Sequence, residues 1–403
     1  MSQREGRTPV KRLLVVQASG DFREVHLQRQ RSGVEYQFGQ IYMLDELNRI
    51  ARRYGQAGIL SCTAPRHVLR LPTGVTLMGA GAGRACDTNS VLVMVADYDP
   101  THLVVQAPLP KLIRWGVAGA RDVACVLTRL PAINPVARHL GMARLPAILN
   151  DRGVSLVAGH TMSGAKALVD MGVAANKVVA WDFVHERTPH LFAAKQLPDR
   201  QPHRLLHVGR IDEKKGVGDL IRALALLKGR RDVHLEIIGQ GHIDKMQALG
   251  ISLGLFQKIR FLGQIPNYQI PARMNAADAV IMADRATFPM GLPLTVYEAL
   301  VSRTPIIASH RPLLAGHFTD RENALLFRAG NPKALAAAID MLLADQLLYA
   351  RISRNAMASW TALQRSVKWG QMLDRWMSGA VQDRAWLAAQ SYGVLMAKQV
   401  TDG

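Results

Sequence analysis

Short runs of aliphatic and β-branched residues alternate with amphipathic stretches along most of the chain. This alternation restricts the fold to parallel sheets wrapped by helices, the α/β class. In the first half the predicted strands are Arg12–Ala18, Gly58–Thr63, His102–Val105, Val123–Thr128 and Val154–Gly159. A helix is expected from Phe38 to Tyr54, where Ile41, Leu44, Leu47 and Ile50 share one face. The segment HERTPHLFAAKQLPDRQPH, His185 to His203, is polar, holds three prolines and keeps no period, so it reads as a linker. The pattern then restarts with strands Leu205–Gly209, Val233–Gly239, Lys258–Gly263, Ala279–Ala283 and Pro305–Ser309. Two similar α/β domains in series are expected, which a 403-residue chain has the length to build. From about Pro332 onward the pattern is helical, and Trp360, Trp369, Trp376 and Trp386 are expected to pack helix faces, with a membrane-facing aromatic set as the alternative.

Charge narrows the partners. Lys and Arg number 50 against 31 Asp and Glu, a net of +19 that is shared almost equally by the two halves. A basic tail or a compact nucleic-acid module would have made the halves unequal, so no specific nucleic-acid partner is expected. Anionic small molecules and an anionic membrane surface, met peripherally, suit this surface. Three cysteines, Cys62, Cys86 and Cys125, show no metal-ligand spacing and make an odd total, which points to a reducing, cytoplasmic setting. The opening MSQREGRTPVKR lacks an apolar core, and no stretch stays apolar long enough to span a bilayer, so neither a secretory leader nor a membrane span is expected.

Two motifs carry chemistry. HVGRIDEKKGVGDLIRAL, His207 to Leu224, reads as a buried strand ending at Gly209-Arg210, a short polar loop, and Lys215-Gly216 opening an amphipathic helix. Arg210 and Lys215 then stand at the carboxyl edge of a parallel sheet, where open α/β folds bind ligands. Two cations beside a helix N-terminus suit a diphosphate; the competing reading is a solvated charged loop. The second motif, MGLPLTVYEAL, places Gly291 and Pro293 at a turn into a helix, with the backbone N–H groups of Leu294, Thr295 and Val296 facing outward. Glu298 follows about one turn later; it is either a solvated helix residue or a carboxylate that grips paired hydroxyls. One crevice with these parts describes a nucleotide-sugar pocket.

The stretch from Leu205 to about Trp360 resembles the C-terminal, donor-binding domain of GT-B retaining glycosyltransferases, specifically glycosyltransferase family 4. The resemblance rests on VGRIDEKKG, LEIIGQG, IRFLGQIP, MNAADAVIMAD, GLPLTVYEAL and TPIIAS in that order. It implies that Gly209, Arg210 and Lys215 border the donor diphosphate, that the backbone around Gln264 and Ile265 borders the base, and that Glu298 binds the ribose. Met290, Gly291, Leu292, Leu294 and Thr295 would line the donor-sugar and phosphate side. The first half resembles the family more loosely, through strand order and ALVDMGVAANKVVAWDF. The implied architecture is two Rossmann-like domains facing a cleft: an acceptor-side domain over 1–190, a nucleotide-sugar domain over 203–375, and a C-terminal helix, 376–403, packing back on the first domain.

The resemblance implies a retaining hexosyltransferase-type enzyme that moves a sugar from a nucleotide-sugar donor to a lipid-linked or polysaccharide acceptor in envelope or exopolysaccharide glycan synthesis, without metal or cofactor. No catalytic residue is assigned. Where family members carry a first Glu eight positions before the second, this chain has Met290, and a thioether cannot replace a carboxylate that accepts sugar hydroxyl bonds. The family's first-domain His aligns with Arg129, and His160 at the end of VSLVAGH is either a cleft residue or a structural one. These departures support the alternative, a non-catalytic nucleotide-sugar-binding or scaffolding member of a glycan-assembly complex. An epimerase would need first-domain carboxylates that are not found. GAGAG, Gly79 to Gly83, lacks dinucleotide-loop spacing and reads as a long flexible loop. RHVLRLP, Arg66 to Pro72, is either a basic patch or a solvated face, and Asp97 and Asp99 are not expected beside the diphosphate.

Overall fold

A computed structural model describes residues 10–82, 87–128, 144–285, 292–311, 314 and 316–401. The chain divides into two compact units. One takes in residues up to Glu35, Gly39–Val184 and Arg365 onward; the other takes in Tyr36–Phe38 and His185–Gln364. The chain thus rejoins its first unit at Arg365, earlier than the expected 376. Local pairing explains the shift: Val367 O accepts from Asp182 N, and Asp182 O accepts from Trp369 N.

The first unit is built on an eight-stranded sheet: β1 (Lys11–Gln17), β2 (Gly55–Ser61), β3 (His67–Arg70), β4 (Val75–Gly79), β5 (His102–Val105), β6 (Asp122–Leu127), β7 (Val154–His160) and β8 (Val178–Trp181). Their order is β3-β4-β2-β1-β5-β6-β7-β8, and only the β3–β4 pair is antiparallel. Strands β1 and β5 to β7 are nearly unbroken aliphatic runs because helices cover both faces of the sheet. Strands β3, β4 and β8 lie outside the sequence expectation, and β3 falls within RHVLRLP. Gly79 of the GAGAG run closes β4, where a Cβ would stand 2.0 Å from Pro65 O; Gly83 lies outside the described residues. The Gln40–Tyr54 helix buries Met43, Leu44, Leu47, Ile50 and Ala51, which moves the expected face by one residue and leaves Ile41 at its margin. Trp369 and Trp376 are core residues of this unit, and Trp386 is half-buried beneath the Arg375 guanidinium, 4.4 Å from the ring centre.

The second unit carries a six-stranded sheet, parallel throughout: β9 (His203–Val208), β10 (Val233–Ile238), β11 (Ile259–Gly263), β12 (Ala279–Met282), β13 (Ile306–His310) and β14 (Leu325–Arg328). The order β11-β10-β9-β12-β13-β14 reverses direction between β9 and β12, the doubly wound arrangement. Its helices bury Leu220, Ile221, Leu335 and Ile339 on one face and Val296, Leu300, Ile270 and Met274 on the other. Trp360 packs against the second of these clusters. No helix among the described residues is long and apolar enough to cross a membrane.

Candidate functional site

The site is set by a split in the second sheet. Strand β9 stays paired with β10 out to Val208, but its ladder with β12 ends at Leu206 and Val280. Beyond that point the two strands part, which opens the crevice where doubly wound sheets hold ligands. His207 spans the split. Its Nδ1 donates to Ile281 O at 3.0 Å, a carbonyl that the ladder no longer serves. Burial holds the imidazole pKa below its ordinary value, so the ring is neutral. With Nδ1 carrying the proton, Nε2 presents a lone pair, and it has no hydrogen-bond partner among the described residues.

Past β9 the chain turns through Gly209. A Cβ on the neighbouring Gly239 would lie 1.8 Å from Gly209 O, so these two loops meet backbone to backbone. Gly216 has φ +70° and ends the loop beneath β12, with a hypothetical Cβ 1.9 Å from Ala283 O. Only glycine fits there. The Val217–Leu226 helix that follows has no side-chain cap, and neither has the Leu294–Ser302 helix that follows β12. Two helix N-termini without side-chain caps therefore belong to the loops after β9 and β12, although the Val217 N–H donates to Asp212 O at 3.4 Å and the Val296 N–H, expected to face outward, donates to Pro293 O at 2.9 Å.

The charges in this loop are paired. Arg210 is mostly exposed, and its Nε and Nη2 reach Asp212 Oδ2 at 2.7 and 2.6 Å. The other Asp212 oxygen accepts from Lys215 N at 2.8 Å and so fixes the loop. Burial raises the Asp212 pKa, but the Lys215 N–H and the Arg210 guanidinium outweigh it and hold the carboxyl below the usual range. Lys215 is paired as well: Nζ lies 2.8 Å from Asp284 Oδ1, and the side chain is 13% exposed. Asp284 also holds Arg311 at 3.4 Å, with both of those side chains buried. Its backbone carbonyl accepts from Ser309 Oγ at 2.6 Å. Next to it, Arg285 makes a two-pronged pair with Asp219 at 2.9 and 2.8 Å.

The loop after β11 reaches the same end of the sheet. Val208, Ile265 and Leu294 all pack on one apolar cluster, where Leu292 is buried. Gln264 and Ile265 are half-buried, and the buried Asn267 donates its side-chain amide to Glu298 Oε1. The Asn267 carbonyl accepts from Arg187 Nη1 at 3.3 Å, and His185 stacks on Tyr297 at 4.2 Å. Residues of the expected linker thus brace the helix that carries Glu298.

The structure places Gly209, Arg210, Lys215, Gln264, Ile265, Leu292, Leu294, Thr295 and Glu298 on the loops and helix starts at this carboxyl edge. Met290, Gly291 and Arg129 lie outside the described residues. His160 is buried, 3.3 Å from Asp182 Oδ1 and packed near Trp181 and Phe183, which is a structural setting. Sequence reasoning passed over Asp212, Asp284, Arg311 and Asn267. Asp212 sits inside the GRIDEKKG motif and Asp284 ends the strand run AVIMAD, so a search for counter-charges to Arg210 and Lys215 would have found both. Arg311 and Asn267 leave no such signal. Among the described residues no group of three or more His, Cys, Asp or Glu side chains is placed to hold a metal ion.

Residues 191–359 match the family described as Glycosyl transferases group 1. Among curated proteins, phosphatidyl-myo-inositol mannosyltransferase of Mycobacterium leprae is 34% identical over 149 residues, 36% of this chain and 39% of the relative. The lipopolysaccharide core biosynthesis glycosyltransferase LpsE of Rhizobium meliloti is 29% identical over 152 residues, 37% of this chain and 42% of the relative. The chain therefore matches about two fifths of the length of these relatives. A solved structure of Anabaena HepE in complex with UDP-glucose superposes with a TM-score of 0.61 at 18% identity, covering 88% of this chain and 95% of that one. The fold is GT-B.

Proposed function

We propose that this chain is a glycosyltransferase that moves a sugar from a nucleotide-sugar donor to a lipid-linked or polysaccharide acceptor in envelope glycan synthesis. The observation that carries the reading is the β9–β12 crevice. Arg210, Lys215 and two uncapped helix starts belong to its loops, and Glu298 lies on one of those helices, all within the segment that matches group 1 glycosyl transferases. Chemically, Arg210, Lys215 and the N–H groups of Leu294 and Thr295 are suited to a diphosphate leaving group, where negative charge grows in the transition state. Glu298, with one oxygen held by Asn267, is a carboxylate of the kind that accepts from ribose hydroxyls. The names of the relatives support a lipid or envelope-glycan acceptor, and the HepE complex supports a nucleoside diphosphate sugar as donor. Family 4 membership, retention of anomeric configuration, a metal-free mechanism and action at the cytoplasmic face of an anionic membrane complete the proposal.

A thermal-shift screen of UDP, GDP and ADP with their sugar derivatives, followed by NMR of the product anomer, tests it. Stabilisation by one nucleoside diphosphate family and transfer with retained configuration is the expected result; the absence of any nucleotide response overturns it. A second reading, a nucleotide-sugar binder without turnover, is favoured by Met290 and by the Asp284 carboxylate that already occupies Lys215. Met290→Glu separates the two. Roughly ten- to a hundredfold faster donor turnover, the worth of one charged hydrogen bond, supports a weakened enzyme, and lost stability without turnover supports the binder.

A further inference from the structure

The RHVLRLP segment, which the donor site leaves unused, forms part of a separate cavity in the first unit. Strand β3 is an edge strand, and residues two apart on it share a face, so Val68 and Arg70 point the same way, with Arg66 just ahead of them. Across the β3–β4 ladder Val68 faces Met78 and Arg70 faces Thr76. The Thr88–Tyr98 helix covers β1 and β2 but stops short of this pair: the Tyr98 ring rests on Gly58 of β2, and its hydroxyl donates to Leu13 O of β1 at 3.0 Å. The uncovered strip, walled by Met94, Asp97 and Tyr98, lines an open cavity of about 580 Å³, within the range of small-molecule sites.

Register fixes how its chemistry is distributed. Gly58, Thr76 and Arg70 lie on one line across the sheet, and Tyr98 sits on Gly58, so Asp97 and Arg70 share one end of the cavity. Arg66, in the bend just before β3, marks the other end, with the strand itself spanning roughly 10 Å from His67 to Arg70. Between them the lining is Val68, Met78 and Met94; Val68 is 59% exposed, although it faces two buried thioethers. Among the described residues Arg66, Arg70 and Asp97 have no hydrogen-bond or ion-pair partner. One end is therefore close to neutral, the middle is apolar, and the far end carries an unpaired guanidinium.

We propose that this cavity binds a single-chain anionic amphiphile, its alkyl chain lying along Val68, Met78 and Met94 and its phosphate or carboxylate head at Arg66. Methionine side chains adapt to a flexible chain better than to a fixed ring, and a guanidinium forms two parallel bonds with such a head group. The site shares no residue with the donor crevice and does not depend on the donor proposal.

Binding of decyl phosphate, 1-decanol and inorganic phosphate to the full chain, measured by calorimetry below the micelle concentration, tests it. Decyl phosphate should bind, with 1-decanol weaker and inorganic phosphate not detected. Arg66→Ala should weaken decyl phosphate by roughly ten- to a hundredfold, the loss of the guanidinium's charge-assisted pairing at an exposed position. Val68→Asp, at an exposed position, should abolish it, and both variants should keep the parent melting temperature and nucleotide response. Equal binding of decyl phosphate and decanol, or no effect of Arg66→Ala, overturns the proposal. So does the case in which only phosphatidylglycerol vesicles bind the chain, with Arg66→Ala and Val68→Asp releasing it, because the strip would then be a membrane contact and not a ligand cavity.

Discussion

Replacing Asp284 by Asn tests how the charges of the β9–β12 crevice are shared. The carboxylate is buried and holds Lys215 at 2.8 Å and Arg311 at 3.4 Å. Arg210, Lys215 and Arg311 against Asp212 and Asp284 leave a net of +1, which the substitution raises to +2. The two consequences have opposite signs. Stranding buried cations costs about 3–5 kcal/mol of folding free energy. In a unit of this size each kcal/mol moves Tm by about 2–4 °C, so the melting temperature should fall by about 6–20 °C. A diphosphate, by contrast, then meets Lys215 without the Asp284 carboxylate beside it, and one charge-assisted bond is worth about 1.5–3 kcal/mol. The variant should therefore melt lower yet bind UDP or GDP about ten- to a hundredfold more tightly. Scanning fluorimetry gives the first quantity and calorimetry the second. A variant that melts lower and also binds diphosphate more weakly refutes the reasoning, since Asp284 would then aim Lys215 at the ligand and not compete for it.

Three further outcomes are expected. Arg210→Ala should weaken nucleoside diphosphates by roughly tenfold or more and leave the bare nucleoside nearly unchanged, because the lost bonds go to phosphate; equal losses in calorimetry would mean the site is misassigned. Asn267→Ala removes the amide that donates to Glu298 Oε1, so it should weaken UDP or GDP several-fold, and the penalty should shrink for the 2′-deoxy nucleotide; a uniform loss would reduce Asn267 to a packing residue. Folding stability should rise between about pH 8 and 10.5. Burial pushes the folded Lys195 pKa down to about 8, so the unfolded chain binds the extra proton across that window, and Lys195→Met should flatten the rise in urea titrations.

How much of this was legible in the sequence depended on the kind of signal. Aliphatic runs buried on both faces gave His102–Val105 without error and placed nine other strands within a few residues, because continuous hydrophobicity is what a covered parallel strand requires. Strand β3 was hidden, since an edge strand with Arg on one face and His and Leu on the other lacks that signature. Strand β8, VVAW, is too short to stand out beside its helix. The positions of Arg210, Lys215 and Glu298 followed from strand-loop-helix order, which is local. Their partners did not: Asp284 meets Lys215, and Asn267 meets Glu298, only after separate βα units align their carboxyl edges, and no local period encodes that.

The return of the chain at Arg365 bears on how the molecule is made. Apart from Tyr36–Phe38, the second unit is one uninterrupted segment, whereas the core of the first holds Trp369, Met372, Leu373, Trp376 and Leu387 from the far end of the chain. On the ribosome, then, the later-encoded unit has its full complement of residues first, and the earlier-encoded one must wait with an unfilled apolar face until the residues from Trp369 to Leu387 have been made. Its open intermediate is the stage at which chaperones would engage this protein, and C-terminal truncation should damage the N-terminal unit before the central one.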